Sequence, residues 1–247
     1  MTINTKTLAA IDIGTNAIRL FISNVEEYPT ETLFKKIAFL RVPIRLGEDV
    51  FTTGEIGQQK RKRLCETMQG FSYIMSAFNV ESYKAYATCA MREARNGKSV
   101  AEQIQKECDL NIEIISGTKE AETIFAGGMN EVVDDDKTYL YVDVGGGSTE
   151  VIVYSKSVKV EACSFPLGTV RMLNDAVDKE EMKHFKKWLK NITEKYTPDA
   201  IIGSGGNINK IHKLLNKKER ERITYQELDI LYEYMKSFNL EERERIM

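Results

Sequence analysis

Histidine, cysteine and proline are scarce in this sequence of 247 residues, with two, four and four respectively. With only His184 and His212, a zinc site built mainly from histidine is not expected, so a metal would be held by carboxylates. The four cysteines lie far apart and never form a CxxC pair. We therefore expect reduced thiols in a cytoplasmic protein.

Neither sign of charge is in excess, since 35 basic residues face 37 acidic ones and the formal net charge is −2. This balance excludes a generally basic, histone-like nucleic-acid binder, and we expect no DNA or RNA partner. No apolar run approaches the ~18 residues of a membrane span, and residues 1–8 lack the apolar segment of a secretory signal. We expect no membrane partner, and the length permits one or two domains with a sizeable core.

Short apolar runs alternate with helical patterns, which indicates an α/β fold. Residues 8–13 and 18–25 are separated by a tight turn and predict a β-hairpin. Further strands are predicted at 32–40, 42–46, 83–88, 112–115, 139–144, 149–154, 158–165 and 200–203. Helices are predicted at 54–78, 99–108, 119–130, 168–175, 179–196, 207–218 and 225–238. Capping boxes are expected at Ser99 with Glu102 and at Thr224 with Glu227.

The same local form occurs twice, about half the chain apart. Asp12-x-Gly14 and Asp143-x-Gly145 each end an apolar strand and open a hairpin. We interpret this as two similar α/β lobes, residues 1–126 and 127–247, that meet near residue 126. Each lobe would contribute one glycine-rich hairpin to a common cleft.

Such a hairpin suits an anion, because glycines let backbone N–H groups approach it closely. The aspartate at the strand end can hold a cation that neutralises the anion, and Mg²⁺ prefers oxygen ligands and substrate phosphates. For either loop alone, a plain β-hairpin with turn glycines is the alternative. Two matched loops, with Gly203-Ser204-Gly205-Gly206 after a third strand, favour a phosphate chain held from both sides.

Two other segments contain candidate residues whose alternatives stay open on spacing alone. Arg92 and Arg95 lie three residues apart after a strand, and arginine suits bidentate phosphate contacts. Their spacing by itself favours a solvated helix face. Glu120 and Glu122 lie in a predicted first helical turn, where a glutamate can simply interact with the helix dipole.

Six ordered motifs resemble the exopolyphosphatase / guanosine pentaphosphate phosphohydrolase (Ppx/GppA) family. They are AIDIGTNAIRL at 10–20, ATCAMREA at 87–94, ISGTKEA at 115–121, DVGGGSTE at 143–150, FPLGTVRM at 165–172 and GSGG at 203–206. The resemblance implies the fold of the actin/Hsp70/sugar-kinase superfamily, with two ribonuclease-H-like lobes (the actin-like ATPase fold) around a central cleft. This agrees with the duplicated hairpins.

The resemblance also implies an activity. Members of the family remove the terminal phosphate of inorganic polyphosphate, or the 5′-γ-phosphate of guanosine pentaphosphate, with Mg²⁺ as cofactor. The expected partners are therefore polyphosphate or guanosine penta- or tetraphosphate. Family members are often dimers, so a homodimer is a further expectation.

Roles carried over from the resemblance fall into three groups. Glu120 matches the catalytic glutamate, which would orient and deprotonate the attacking water. Asp143 would anchor Mg²⁺, with Asp12 sharing the metal and Glu150 nearby. The residues expected to bind phosphate are Gly14, Thr15, Asn16, Arg19, Arg92, Gly145, Gly146, Gly147 and Ser148.

The sequence departs from the family in one respect. The second lobe of family members usually runs some tens of residues further, so we expect a second lobe that is short at its C-terminal end. Longer members also carry an HD-type domain, which we do not expect here. Two alternative functions follow, a non-catalytic module that binds polyphosphate or guanosine tetraphosphate, and a kinase or ATPase of the same superfamily.

Overall fold

The computed structural model describes residues 4–126, 136–156, 158–218 and 221–246, and it contains two mixed β-sheets with helices packed against them. The strands of the first sheet are β1 (Asn4–Ile13), β2 (Ile18–Glu27), β3 (Thr32–Val42), β4 (Ser82–Ala87) and β5 (Glu113–Ile114). Their order is β3-β2-β1-β4-β5. β1, β2 and β3 are antiparallel, whereas β4 and β5 run parallel to β1.

The first hairpin follows from its alternating pattern. Ile11, Ile13, Ile18 and Leu20 are at most 2% exposed and point into the core of the first lobe. Asp12 pairs with Arg19 at the end of the hairpin, on the opposite face of the sheet. The hairpin therefore buries one face and directs a carboxylate and a guanidinium out of the core.

Five helices accompany the first sheet: α1 (Leu46–Thr53), α2 (Gln58–Ala77), α3 (Cys89–Glu93), α4 (Gly97–Cys108) and α5 (Gly117–Ala126). The helix predicted at 54–78 carries apolar residues at steps of three and four, and of these Leu64, Met68, Phe71 and Met75 are buried against the sheet, whereas Phe78 beyond the end of α2 is 42% exposed. α5 behaves differently and packs against two strands of the second sheet, at residues 149–155 and 158–165.

The second sheet repeats the topology of the first. Its strands are β6 (Thr138–Val144), β7 (Thr149–Ser155), β8 (Val158–Phe165) and β9 (Ala200–Ser204). β6, β7 and β8 are antiparallel and β9 runs parallel to β6, in the order β8-β7-β6-β9. The helices of this half are α6 (Thr169–Leu173), α7 (Lys179–Tyr196), α8 (Gly206–Leu214), α9 (Tyr225–Lys236) and α10 (Leu240–Ile246).

β6 is the counterpart of β1 and β9 is the counterpart of β4, so the predicted duplication of the α/β lobe is present. Phe165 anchors the second core and packs edge-on against Phe185 and Trp188. Within the described ranges, the second sheet has four strands where the first has five. Residues 127–135 lie outside these ranges, so the division near residue 126 stays a prediction.

Several predicted boundaries are wrong. The strand predicted at 42–46 does not exist, because Pro43 lacks an N–H, Arg45 is left-handed with φ 58° and α1 begins at Leu46. The capping box at Ser99 is absent because α4 begins at Gly97, two residues earlier, while the box at Thr224 with Glu227 is confirmed. Of the helix predicted at 119–130, residues 127–130 lie outside the described ranges.

No helix in the described parts of the chain is both long and apolar enough to cross a membrane.

Candidate active site

The loops of the two hairpins lie against each other. A methyl group added at Gly146 would lie 3.1 Å from Cβ of Thr15, and one added at Gly147 would lie 2.9 Å from the Thr15 hydroxyl oxygen. The two turns close alike, since Gly14 N donates to Ala17 O at 3.2 Å and Gly145 N donates to Ser148 O at 2.9 Å. The ends of β1 and β6 therefore form one cleft, as the repeated motif predicts.

Four carboxylates share this cleft and influence one another. The pKa of Glu120 is raised to about 8, mainly by burial and also by the negative charges of Glu150, Asp12 and Asp143, while Arg92 acts in the opposite direction. Burial also raises the pKa of Asp143. The charge of Arg19 lowers this pKa in part, and the charge of the nearby Asp12 raises it. The cleft thus concentrates negative charge that a bound cation would relieve.

Glu150 is held by two hydroxyl groups. Ser148 Oγ donates to its Oε1 at 2.6 Å and Ser164 Oγ donates to the same oxygen at 2.9 Å. These bonds favour the charged form, yet burial dominates and raises the pKa of Glu150 above its usual value. Glu150 is therefore a fixed acceptor at the base of the cleft.

Two arginines bring positive charge to the cleft from the first lobe. Arg19 pairs with Asp12 across the end of the first hairpin. Arg92 Nη1 donates to the carbonyl oxygen of Ile115 at 2.8 Å and lies 3.7 Å from Glu120 Oε2. Arg92 therefore lies next to the candidate catalytic carboxylate.

Glu120 occupies the first turn of α5, and local contacts fix that turn. Ser116 Oγ accepts a hydrogen bond from Lys119 N at 3.1 Å. Gly117 lies so close to β8 that an added methyl group would be 2.5 Å from the side chain of Ser164 and 3.7 Å from Glu150 Oε1. Glu120 Oε2 is buried and has no hydrogen-bond partner among the described residues. Such an acceptor is costly unless a ligand or water supplies a donor.

The third glycine segment lies beside Asp143. Gly205 has φ 95°, a conformation that favours glycine, and an added methyl group there would lie 2.7 Å from Asp143 Oδ1. Asn207 Nδ2 donates to the carbonyl oxygen of Val144 at 3.2 Å. Ser204 pairs with Asp143 across β9 and β6, and its side chain lowers the pKa of that carboxyl group against the larger effect of burial. This segment therefore closes the second-lobe side of the cleft.

Comparison with known proteins assigns the chain to a family. The sequence model of the Ppx/GppA phosphatase family matches residues 22–247. This chain belongs to the Ppx/GppA phosphatase family. The crystal structure of the Aquifex aeolicus Ppx/GppA family member superposes with a TM-score of 0.76 at 25% sequence identity, covering 98% of this chain and 82% of that chain. The predicted fold class is therefore confirmed.

Curated relatives of this Ppx/GppA protein are longer than it is. It is 32% identical to the bifunctional 3-dehydroquinate synthase/phosphatase of Fusobacterium nucleatum over 66% of its own length and 25% of that protein's. It is 28% identical to exopolyphosphatase 2 of Mycobacterium tuberculosis over 67% of its own length and 53% of that protein's. The chain thus spans between a quarter and about half of these two relatives.

The residues of this family member fit a magnesium ion. Among the described residues, no three side chains of histidine, cysteine, aspartate or glutamate are grouped closely enough to hold an ion on their own. Mg²⁺ does not require that, since it usually takes one or two carboxylates and completes its shell with water and substrate phosphate. Asp143 and Asp12 offer those oxygens, and burial of Asp143 among other carboxylates favours a cation there.

The structure brings nearly all the predicted site residues together but separates one pair. Arg92 points at the cleft, whereas Arg95 Nη2 donates to the carbonyl oxygen of Thr53 at 2.9 Å on the far side of α3. α3 ends at Glu93, so the two arginines do not share a helix face. Asn16 is exposed at the tip of the first loop, and Thr15 is buried against the second.

Residues outside the predicted set also shape the site. Ser164 donates to Glu150, Ser204 lies opposite Asp143 on the neighbouring strand, and Arg171 contacts the second glycine loop. Arg171 lies in the FPLGTVRM motif and Ser204 in the GSGG motif, and neither residue had an assigned role. Ser164 lies outside the six motifs and carried no signal of its own, because its partner comes from another strand.

Proposed function

We propose that this protein hydrolyses a terminal phosphoanhydride bond, releasing phosphate from inorganic polyphosphate or the 5′-γ-phosphate from guanosine pentaphosphate. One observation carries the proposal: a buried glutamate, Glu120, with an unpartnered oxygen, lies beside Arg92 in a cleft lined by two facing glycine loops. Membership of a phosphatase family and likeness to a mycobacterial exopolyphosphatase support it.

Each group of residues has a part in this reaction. Glu120 Oε2, which has no hydrogen-bond partner among the described residues, orients the attacking water toward the terminal phosphorus and accepts a proton from that water. Arg92 and Arg19 neutralise the phosphate oxygens, and the backbone N–H groups at residues 15–16 and 146–147 donate to them, while Gly14 N and Gly145 N close the two turns. Ser148 is engaged with Glu150, so its hydroxyl positions that carboxylate.

Asp143 and Asp12 would hold Mg²⁺, which when bound supplies positive charge to the phosphate oxygens. Glu150 would accept hydrogen bonds from water near the metal. The same charge favours the ionised form of Glu120, which is the form that a base requires. Guanosine tetraphosphate as a ligand, a homodimer and a cytoplasmic location with reduced thiols stay predictions.

The proposal is tested by measuring phosphate release from polyphosphate and from guanosine pentaphosphate in parallel, with and without Mg²⁺. Glu120→Gln should lower kcat by about 10²- to 10⁴-fold, the usual contribution of general-base catalysis. The matched control is Glu122→Gln on the same helix, because Glu122 faces solvent and pairs with Lys159 at 2.7 Å. That control should retain activity.

Four results would count against the proposal. If the wild-type protein releases phosphate from neither substrate, or if Glu120→Gln is as active as the wild type, hydrolysis at this cleft is wrong. Calorimetric binding of either substrate without turnover would instead support a non-catalytic binding module. Phosphate transfer from ATP to a small acceptor would support a kinase.

A further inference from the structure

Arg171 of α6 joins the two lobes at the cleft. Its side chain is 11% exposed, and its Nη2 donates to both carboxylate oxygens of Glu93 in α3, at 2.7 and 2.6 Å. Its guanidinium carbon lies 4.1 Å from the centre of the Phe51 ring in α1. A second-lobe arginine is therefore inserted among first-lobe side chains.

The same side chain holds the second glycine loop. Arg171 Nε donates to the carbonyl oxygen of Gly147 at 2.9 Å. Backbone N–H groups of α6 add to this hold, since Thr169 N donates to Gly145 O at 3.1 Å and Val170 N donates to Gly146 O at 2.8 Å. One guanidinium thus bonds the loop on one side and α3 on the other.

α3 also carries Arg92, the residue directly before Glu93. Arg92 lies beside Glu120, whereas Glu93 faces Arg171. The pair formed by Arg171 and Glu93 therefore links the loop to α3 and so fixes the position of the loop relative to Arg92. A fork-shaped guanidinium suits this task, because it bonds two acceptors in fixed directions at once.

We propose that Arg171 is a positioning residue that sets the second-lobe loop Gly145–Ser148 at the right distance from Arg92, so that both meet the same phosphate. This inference rests on the proposed function, which requires donors from both lobes around one phosphate. Arg171 itself does not touch the reacting atoms. A displacement of about 1 Å in such an arrangement can reduce the rate by about 10²-fold.

The kinetic test compares Arg171→Ala, Arg171→Lys and Glu93→Gln with the wild type. Arg171→Ala should lower kcat by about 10²-fold, and Arg171→Lys should recover only part of it, because one ammonium cannot bridge both partners. Added guanidinium ion at millimolar concentration should restore part of kcat in Arg171→Ala, with saturation, and should not do so in Glu93→Gln. Urea and NaCl at matched concentrations should not rescue either variant.

Rescue by guanidinium separates positioning from general stability. Guanidinium weakens folded proteins in general, so a rise in kcat of Arg171→Ala must come from occupation of the vacated arginine site and not from a general gain in stability. The matched control is Arg95→Ala, since Arg95 is exposed and, among the described residues, its side chain bonds the first-lobe groups Thr53 and Glu55. It should keep the wild-type kcat. Full activity of Arg171→Ala, or a loss that guanidinium does not rescue, would overturn the inference.

A second measurement does not depend on activity. Cys89 is buried at the junction, with its sulfur 3.7 Å from Arg171 Nη2 and close to Gly147. Modification of Cys89 by N-ethylmaleimide, followed by mass spectrometry, should be at least about tenfold faster in Arg171→Ala, a variant that keeps Glu93, the acceptor of the Cys89 thiol at 3.3 Å. Cys65 and Cys108, buried between α2 and α4, should react as in the wild type.

The two measurements distinguish the failures. If the wild type hydrolyses neither substrate, the proposed function fails. Cys89 reactivity alone then decides whether Arg171 holds the junction of the two lobes closed. If the wild type is active but Cys89 reacts at the same rate in every variant, Arg171 does not hold the junction and the positioning role is wrong. If Arg171→Ala does not fold, Arg171→Lys decides, since wild-type kcat together with wild-type Cys89 reactivity in that variant would overturn the inference.

Discussion

At the scale of single residues, Glu120 shows how the fold changes a side chain's chemistry. In water a glutamate is ionised well below neutral pH, yet burial raises the pKa of Glu120 to about 8. Perturbed carboxylates of this kind concentrate at functional sites, because the same burial that penalises the charge also strengthens its interactions when a substrate arrives. Arg92 at 3.7 Å offsets only part of the penalty.

This shift predicts how stability depends on pH in EDTA. The unfolded chain releases the Glu120 proton near pH 4.5, whereas the folded protein keeps it up to about pH 8. The contribution of the Glu120 carboxyl group to the free energy of unfolding is therefore complete below pH 4.5 and is lost as pH rises through the folded pKa of about 8. Over that range the free energy of unfolding falls by at most about 1.4 kcal/mol per pH unit. Urea unfolding of the wild type and Glu120→Gln at intervals from pH 5 to 9 measures it.

Glu120→Gln should lack this part of the pH dependence. From pH 5 to pH 8 the free energy of unfolding should therefore fall less in Glu120→Gln than in the wild type. Contributions from Asp143 and Glu150 act in the same direction in both proteins and cancel to first order. Glu122→Gln is the control and should follow the wild type. Parallel curves for the wild type and Glu120→Gln would show that Glu120 is not buried as a carboxyl group.

At the scale of elements, the glycine loops depend on close packing with the turn before α6. An added methyl group at Gly168 would lie 2.4 Å from the backbone of Gly146 and of Gly147. Backbone atoms cannot swing aside as a flexible side chain can, so either the loop or α6 must move. The second phosphate loop is thus shaped by a residue that lies about twenty positions later in the chain.

Gly168→Ala should therefore displace the loop and lower phosphate release by at least about tenfold, and it should destabilise the protein by about 1–3 kcal/mol, as overpacking does. Gly70→Ala in α2 is the matched control, because nothing lies within 4 Å of a methyl group at that glycine and it is outside the glycine loops. Thermal unfolding and the phosphate-release assay measure the two effects. Equal values for both variants would contradict the packing argument.

Prediction of elements from the sequence succeeded where the pattern is local. The stripe on α2 and the capping box at Thr224 were predictable, since both depend on residues three or four positions apart. α1 was missed, because Leu46 and Val50 are buried only once α2 and the sheet are in place. The end of α3 was also missed, and with it the separation of Arg92 from Arg95.

At the scale of the whole molecule, the two lobes are joined by more than the chain between them. α5 leaves the first sheet and packs on β7 and β8, α1 contacts α6, and the glycine loops touch. We therefore expect the lobes to unfold together. Trp188, the single tryptophan, lies in the second core and reports on that lobe alone.

Leu64→Ala tests this coupling from the other lobe. Leu64 is fully buried in the first core, and its truncation should cost about 2–5 kcal/mol. The Trp188 fluorescence midpoint in urea should shift together with the circular-dichroism midpoint. Ile230→Ala, at a side chain that is 71% exposed, is the control and should change neither. An unchanged fluorescence midpoint with a shifted first-lobe transition would show independent lobes.

The sequence by itself determined the hairpins, the glycine turns, the duplicated lobes and the family resemblance, because these rest on short-range patterns. Only the tertiary structure decided which charged groups meet. Arg171 and Glu93 are 78 positions apart and come from different lobes, so their contact depends on how the two lobes are placed around one cleft. Ser164 and Glu150 are opposite each other on the neighbouring strands β8 and β7, so their contact depends on the register of the second sheet. No local pattern encodes either pair. Burial, which only the folded chain provides, is also the main reason that the pKa of Glu120 is raised to about 8.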